Sequence, residues 1–162
     1  MSYVDFMSHV HKSTQRDYLA RVNDAEFPKA KAAKLAKKWA YDYWDGDRRI
    51  NYGGYRYMPG RWAPVGQAMI DHYGLKPGDK ILDIGCGKGF QLYELTQLLP
   101  GIQVQGIDVS EYAIENAKEE VKDSIKLGNA NSLPFEDNSF DFVFSINTLH
   151  NLHNYDLDQA LK

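Results

Sequence analysis

The chain holds a single cysteine, Cys86, among its 162 residues. An internal disulfide is therefore excluded, and a reducing cytoplasm is the simplest setting. No apolar run approaches the length of a membrane span. The first twenty residues are polar and have no apolar h-region, so no secretory leader is expected. Neither sign of charge dominates: Lys and Arg number 19 against 22 Asp and Glu, a formal charge of −3. That balance supplies no general drive toward nucleic acid or an anionic membrane. There is no internal repeat and no low-complexity tract. An apolar content of 43% suits a globular core, and the length suits one domain.

Against those absences, residues 81–89 stand out: Ile-Leu-Asp-Ile-Gly-Cys-Gly-Lys-Gly. An apolar strand runs into glycines at alternate positions, Gly85, Gly87 and Gly89, with Asp83 just before them. Some twenty residues later Gly106-Ile107-Asp108 ends a second strand in an acid. Strand, glycine turn, helix, strand and carboxylate form a nucleoside-binding layout, in which the acid pairs with ribose hydroxyls. The spacing narrows the choice. A dinucleotide fingerprint, G-x-G-x-x-G, requires glycine at position 90, where Phe90 stands. Asp83 also lies where a pyrophosphate would bring negative charge, and a cationic ligand suits it better. A nicotinamide-dependent dehydrogenase is disfavoured on both counts.

A third segment follows a short strand: Gly128-Asn129-Ala130, then Leu133-Pro134-Phe135, then Asp137-Asn138-Ser139-Phe140-Asp141. A fourth strand, Phe140–Ile146, leads into Asn147-Thr148-Leu149-His150-Asn151-Leu152. In their order and wording these motifs resemble those of the class I S-adenosylmethionine-dependent methyltransferases, over about residues 63–162. The resemblance implies an α/β, Rossmann-like methyltransferase fold with a partial parallel sheet of strand order 3-2-1-4. It implies S-adenosylmethionine as cofactor and a small-molecule acceptor. Asp83, Gly85, Cys86, Gly87 and Gly89 would lie against the methionine part. Asp108, with Val109 beside it, would take the ribose hydroxyls, and Asn129 with Ala130 would meet the adenine. Asn129 departs from the acid common at that place, yet its amide oxygen can still accept from an amino group. Asn147 would line the methionine end. Nucleic-acid methylation is opposed by the acidic balance and by Ser145-Ile146-Asn147-Thr148, which is unlike Asn-Pro-Pro-Tyr.

The expected organisation is an N-terminal helical extension with a lid over residues 1–62, and a cofactor-binding domain over 63–162. Residues 1–12 read as a loose arm, and Ser13 or Thr14 as the cap of a helix to Val22. Pro28 opens a helix to Trp44, with Leu35, Trp39 and Tyr43 on one face. Its lysines form a solvated face or, alternatively, a surface for an anionic partner. Residues 45–61 combine glycines and Pro59 with Tyr52, Tyr55, Tyr57 and several arginines. They read as a lid, with Tyr55 or Tyr57 facing a sulfonium and Arg56 or Arg61 holding a carboxylate. The competing reading is a structural loop pinned by buried aromatics. In the domain, helices are expected over 63–73 and 90–99, and from a Ser110 cap through Val121. Strands are expected over 80–84, 103–107 and 125–127, with a last helix from about Asp156.

His150 is the candidate general base. A structural histidine, or a metal ligand with His153 and Asp156, are the alternatives; the resemblance implies no metal. Cys86 reads as a small packed residue. A complete domain of the resembled family has seven strands, so a fourth strand rich in phenylalanine would be an open edge. Two expectations follow: a shortened chain that binds cofactor without catalysis or needs a partner, or a homodimer paired along that edge.

Overall fold

The structure, a computed structural model, describes residues 3–10 and 17–162. Its centre is a parallel sheet of strands β1 (Lys80–Ile84), β2 (Gln103–Asp108), β3 (Ile125–Leu127) and β4 (Phe142–Phe144), in the order β3-β2-β1-β4. From Ile81 onward β1 is buried throughout, as expected of a central parallel strand covered on both faces. Its side chains alternate between two cores. Ile81 packs with Leu92, Leu95, Met69, Val65 and Phe144 on one side, and Leu82 and Ile84 pack with Ile107 and Ala130 on the other. Asp83 shares the parity of Ile81 and is paired in register with Gly106 and Phe144.

Seven α-helices surround this sheet among the described residues: α1 (Tyr18–Val22), α2 (Lys29–Ala36), α3 (Tyr41–Trp44), α4 (Ala63–Tyr73), α5 (Phe90–Leu98), α6 (Glu111–Glu115) and α7 (Asn154–Ala160). Helix α4 spans the expected residues and stops at Gly74, whose left-handed backbone (φ 64°) closes the last turn. The Ser110 hydroxyl accepts from the Ala113 N–H at 3.0 Å, which caps α6 as its sequence implied.

Several expectations need correction. The helix from Pro28 to Trp44 is broken into α2 and α3. Trp39 adopts φ 53°, which a helix cannot continue. Its carbonyl accepts from the Trp44 indole N–H (3.2 Å) and from the Ser110 hydroxyl, so tertiary bonds hold the break. Helix α6 ends at Glu115, and Val121 lies in a 3-10 helix, Glu119–Ser124. Strand β4 is only Phe142–Phe144. Phe140 leaves the face of Phe142 and Phe144 and packs edge-on against Phe135 in the opposite core. The N-terminal arm is not loose over its described part: Phe6, Met7 and Val10 pack on the first core, with the Phe6 ring 5.5 Å from His72. Ser13 and Thr14 lie outside the described residues. Helix α1 is capped by Asp17, which accepts from the Ala20 N–H at 2.9 Å.

Candidate functional site

Strands β1 and β4 are neighbours, while the chain leaves β1 toward β2 on the other side. In open α/β sheets ligands bind beyond the carboxyl ends of strands at such a switch point. A cavity of about 350 Å³ lies there. The ends of β1 and β2 and the glycine turn form its floor: Asp83, Gly85, Cys86, Gly87, Asp108 and Val109. Gly128, Asn129 and Ala130 after β3, and Asn147 and Thr148 after β4, form its sides.

Asp83 is 4% exposed, and its Oδ1 has no hydrogen-bond partner among the described residues. Burial, and then the Asp108 charge, push its pKa well above the usual carboxylate range. Asp108 is buried too, and burial raises its pKa, but its oxygens are partnered. Oδ2 accepts from the Gly87 N–H (2.8 Å) and Oδ1 from the Ser110 N–H (2.9 Å), which oppose the rise. The carboxylate retains lone pairs for a ligand. The Cys86 thiol is buried, its pKa raised by burial and then by Asp83 and Asp108, and its sulfur packs where a side chain on Gly106 would stand. It is a small packed residue rather than an activated thiolate.

The glycine turn makes room for the chain itself. A Cβ on Gly87 (φ 55°) would stand 2.9 Å from the Trp44 ring, and one on Gly85 (φ 81°) would run into the Thr148 side chain.

Residues 39–62 form a strap that roofs the cavity. Trp39, Tyr43, Trp44, Tyr52, Tyr55 and Trp62 all line it. Trp44 stacks on Tyr52 with ring centroids 5.5 Å apart, and Tyr55 stacks on Phe90 at 5.0 Å. The Trp44 indole N–H also donates to the Ser110 hydroxyl at 2.8 Å, just beyond the end of β2. A polar knot ties the strap to the glycine turn. Lys88 Nζ, nearly buried, donates to Asp45 Oδ2 (2.6 Å) and to the Tyr55 carbonyl (3.0 Å). The Tyr112 hydroxyl donates to the same Asp45 oxygen (2.8 Å), and the Tyr55 N–H donates to Asp45 Oδ1 (2.9 Å). Burial pushes the Asp45 carboxyl up, but Lys88, Tyr112 and the Tyr55 N–H outweigh it and hold it below its ordinary value.

Of the residues singled out in the sequence, Asp83, Gly85, Cys86, Gly87, Asp108, Val109, Asn129, Ala130 and Asn147 meet on this one cavity. Gly89 is buried behind it, against Val121 and Ile125. Tyr57 and Arg61 are not among the residues lining the wall. The Tyr57 hydroxyl donates to Glu94 Oε1 (3.0 Å), which also accepts from the Gly60 N–H (2.9 Å), and Arg61 is exposed. His150 is exposed and not on the wall, and Asp156 accepts from Asn131 at 2.9 Å. Among the described residues no three His, Cys, Asp or Glu gather for a metal, and no helix is long and apolar enough to cross a membrane.

Sequence reasoning missed Trp44, Trp62, Thr148 and Gln91 on the wall, and placed Trp39 and Tyr43 on an ordinary helix face. The available signal was the density of aromatics between 39 and 62. For Gln91 it was an amide placed among Phe90, Leu92 and Leu95.

A glycine turn between two strands that each carry a buried carboxylate at or next to the carboxyl end defines a nucleoside-binding α/β protein of the Rossmann-like class. The methyltransferase domain family matches residues 82–162, half of the chain, and the chain belongs to that family of class I S-adenosylmethionine-dependent methyltransferases. It is 37% identical over 92 residues to a demethylmenaquinone methyltransferase of Symbiobacterium thermophilum, a match covering 52% of this chain and 37% of the relative. It is 39% identical over 96 residues to a sterol 24-C-methyltransferase of Gibberella zeae, covering 51% of this chain and 25% of the relative. The chain thus spans well under half the length of these relatives. In fold it is similar to a candidate S-adenosyl-L-methionine-dependent methyltransferase of Methanococcus maripaludis: TM-score 0.54 at 15% identity, covering 93% of this chain and 61% of the other.

The family's cofactor is S-adenosylmethionine, and the residues present fit it. An unpartnered buried carboxylate suits an ammonium or sulfonium ligand, Asp108 has acceptor capacity to spare, and the aromatic roof suits a flat base and a soft cation.

Proposed function

We propose that this site binds S-adenosylmethionine and passes its methyl group to a small, apolar acceptor. The observation that carries the reading is the presence of Asp83 and Asp108, at the carboxyl ends of adjacent strands, on one cavity beside one glycine turn. When bound, the cofactor supplies a sulfonium-activated methyl group. The chain's residues would orient it: Asp83 on the methionyl ammonium, Asp108 on the ribose hydroxyls, Asn129 on the adenine amino group. The tryptophans and tyrosines of the strap would exclude water from the line of attack. Methylation at a quinol or alkene carbon also releases a proton; exposed His150 is not on the wall, so the proposal hands that proton to solvent rather than to His150. Two relatives are named for a demethylmenaquinone and a sterol, and the ring-lined wall supports an apolar acceptor here too.

Calorimetry with S-adenosylhomocysteine and NAD tests the cofactor part: binding of the first only is expected, and Asp108→Ala should weaken it about a hundredfold. Formation of S-adenosylhomocysteine from S-adenosylmethionine, with a methylated quinone or sterol recovered, tests the acceptor part. We also propose pairing of two copies along β4, where Val143 is 48% exposed. Sedimentation at micromolar concentration should then show a dimer.

A further inference from the structure

Gln91 is the second residue of α5, is 6% exposed and lines the cavity. Neither Nε2 nor Oε1 of its amide has a hydrogen-bond partner among the described residues. The amide is packed closely against α4, since a Cβ on Gly66 would stand 3.1 Å from Nε2. A buried amide without partners costs about 1–3 kcal/mol, and an apolar side chain of similar length would avoid that cost. Its neighbours Phe90, Leu92 and Leu95 are apolar, and the other buried polar side chain of α5, Glu94, is partnered by Tyr57 and Gly60, while Gln91 is not. An amide kept in such a place is matched to something that enters the cavity.

The other unpartnered polar atom on the same wall is Asp83 Oδ1. Asp83 lies on the face of the sheet that α5 covers, because it shares the parity of Ile81, which packs with Leu92 and Leu95. A carboxylate and an amide on the wall of one cavity complement a head group that carries both a cation and an anion. The carboxylate accepts from the cation, and the amide N–H donates to the anion. Asp108 and Asn129, by contrast, end or follow β2 and β3, farther toward the β3 edge of the sheet. We infer that Gln91 binds the α-carboxylate of the methionyl end of the cofactor through Nε2, next to the ammonium on Asp83. The inference rests on the cofactor assignment above.

Two ligands separate the head group from the nucleoside. S-adenosylhomocysteine carries the amino-acid end, and 5′-methylthioadenosine lacks it. In calorimetry, Gln91→Leu should bind S-adenosylhomocysteine about tenfold more weakly than the unaltered chain and 5′-methylthioadenosine within about twofold of it. The ligand-free variant should also melt higher, since an unpartnered amide has gone; a purely structural glutamine would give a lower melting temperature. Gln91→Met, unbranched like glutamine, should repeat the pattern if leucine disturbs α5. Equal weakening toward both ligands, or unchanged affinity for S-adenosylhomocysteine, would overturn the role of Gln91 while leaving the cofactor assignment standing. Failure of the unaltered chain to bind either ligand would overturn both.

Discussion

The floor of the cavity, residues 83–87 and 107–109, is backbone and compact side chains; its roof, residues 39–62, is rings. The floor is fixed by parallel hydrogen bonding and by left-handed glycines, so its geometry belongs to the sheet. The roof is fixed by what it touches: Trp44 on Gly87, Lys88 on Asp45, Tyr112 on Asp45. Cofactor chemistry therefore sits on a rigid base, while enclosure depends on a few long-range contacts that can be removed one at a time.

The largest expected effect breaks the contact between the two regions. Trp44→Ala should cost about 3–5 kcal/mol in urea unfolding, because a buried indole leaves a void. Gly87→Ala should also destabilise the ligand-free chain. Its cost should shrink by about 1 kcal/mol in the Trp44→Ala background, because the ring it collides with is gone. Strictly additive costs would mean that the roof does not press on the glycine turn. Next in size, Lys88→Met should cost about 3 kcal/mol by leaving Asp45 without its cation. Chemical denaturation of Lys88→Met with and without Asp45→Asn checks this, the double variant recovering part of the loss.

Asp83 gives a smaller effect that depends on pH. Its folded pKa is raised, so its contribution favours the fold at pH below about 4 and is lost as pH rises through the folded value. Asp83→Asn should flatten the fall of ligand-free stability between acid and neutral pH and raise stability at pH 7. A smaller slope from Asp108 should remain. Thermal melts across that range read it, and an unchanged slope would show that Asp83 ionises as freely in the fold as outside it. Smallest of all are the off-wall residues. Tyr57→Phe should cost about 1 kcal/mol of stability through the lost bond to Glu94, and Arg61→Ala about nothing. Neither should move cofactor affinity, and a tenfold loss in either would mean that the strap rearranges on binding.

The difference between floor and roof also explains what could be read from the residues. Gly85, Gly87, Asp83 and Asp108 work through local backbone geometry at fixed spacing, so the spacing alone located them, and β1, β3 and α4 fell on their expected residues. The break at Trp39 could not be read. No glycine or proline marks it, and helical periodicity continues through it; it exists because Ser110, 71 residues away, bonds the Trp39 carbonyl. Tyr57 and Tyr55 are chemically alike and two residues apart, and only the path of the strap sends one to Glu94 and the other to the cavity. Gln91 was passed over because a glutamine in a helix is ordinary until its burial is known.

All three tryptophans of the chain, Trp39, Trp44 and Trp62, face the same cavity. The protein's tryptophan emission, separated from that of its 11 tyrosines by red-edge excitation, therefore originates wholly at the site. Without any label, quenching by an arriving adenine or the spectral change on loosening of the strap would be seen undiluted by signal from elsewhere. One optical channel thus reports occupancy, and circular dichroism must be added to report the rest of the fold.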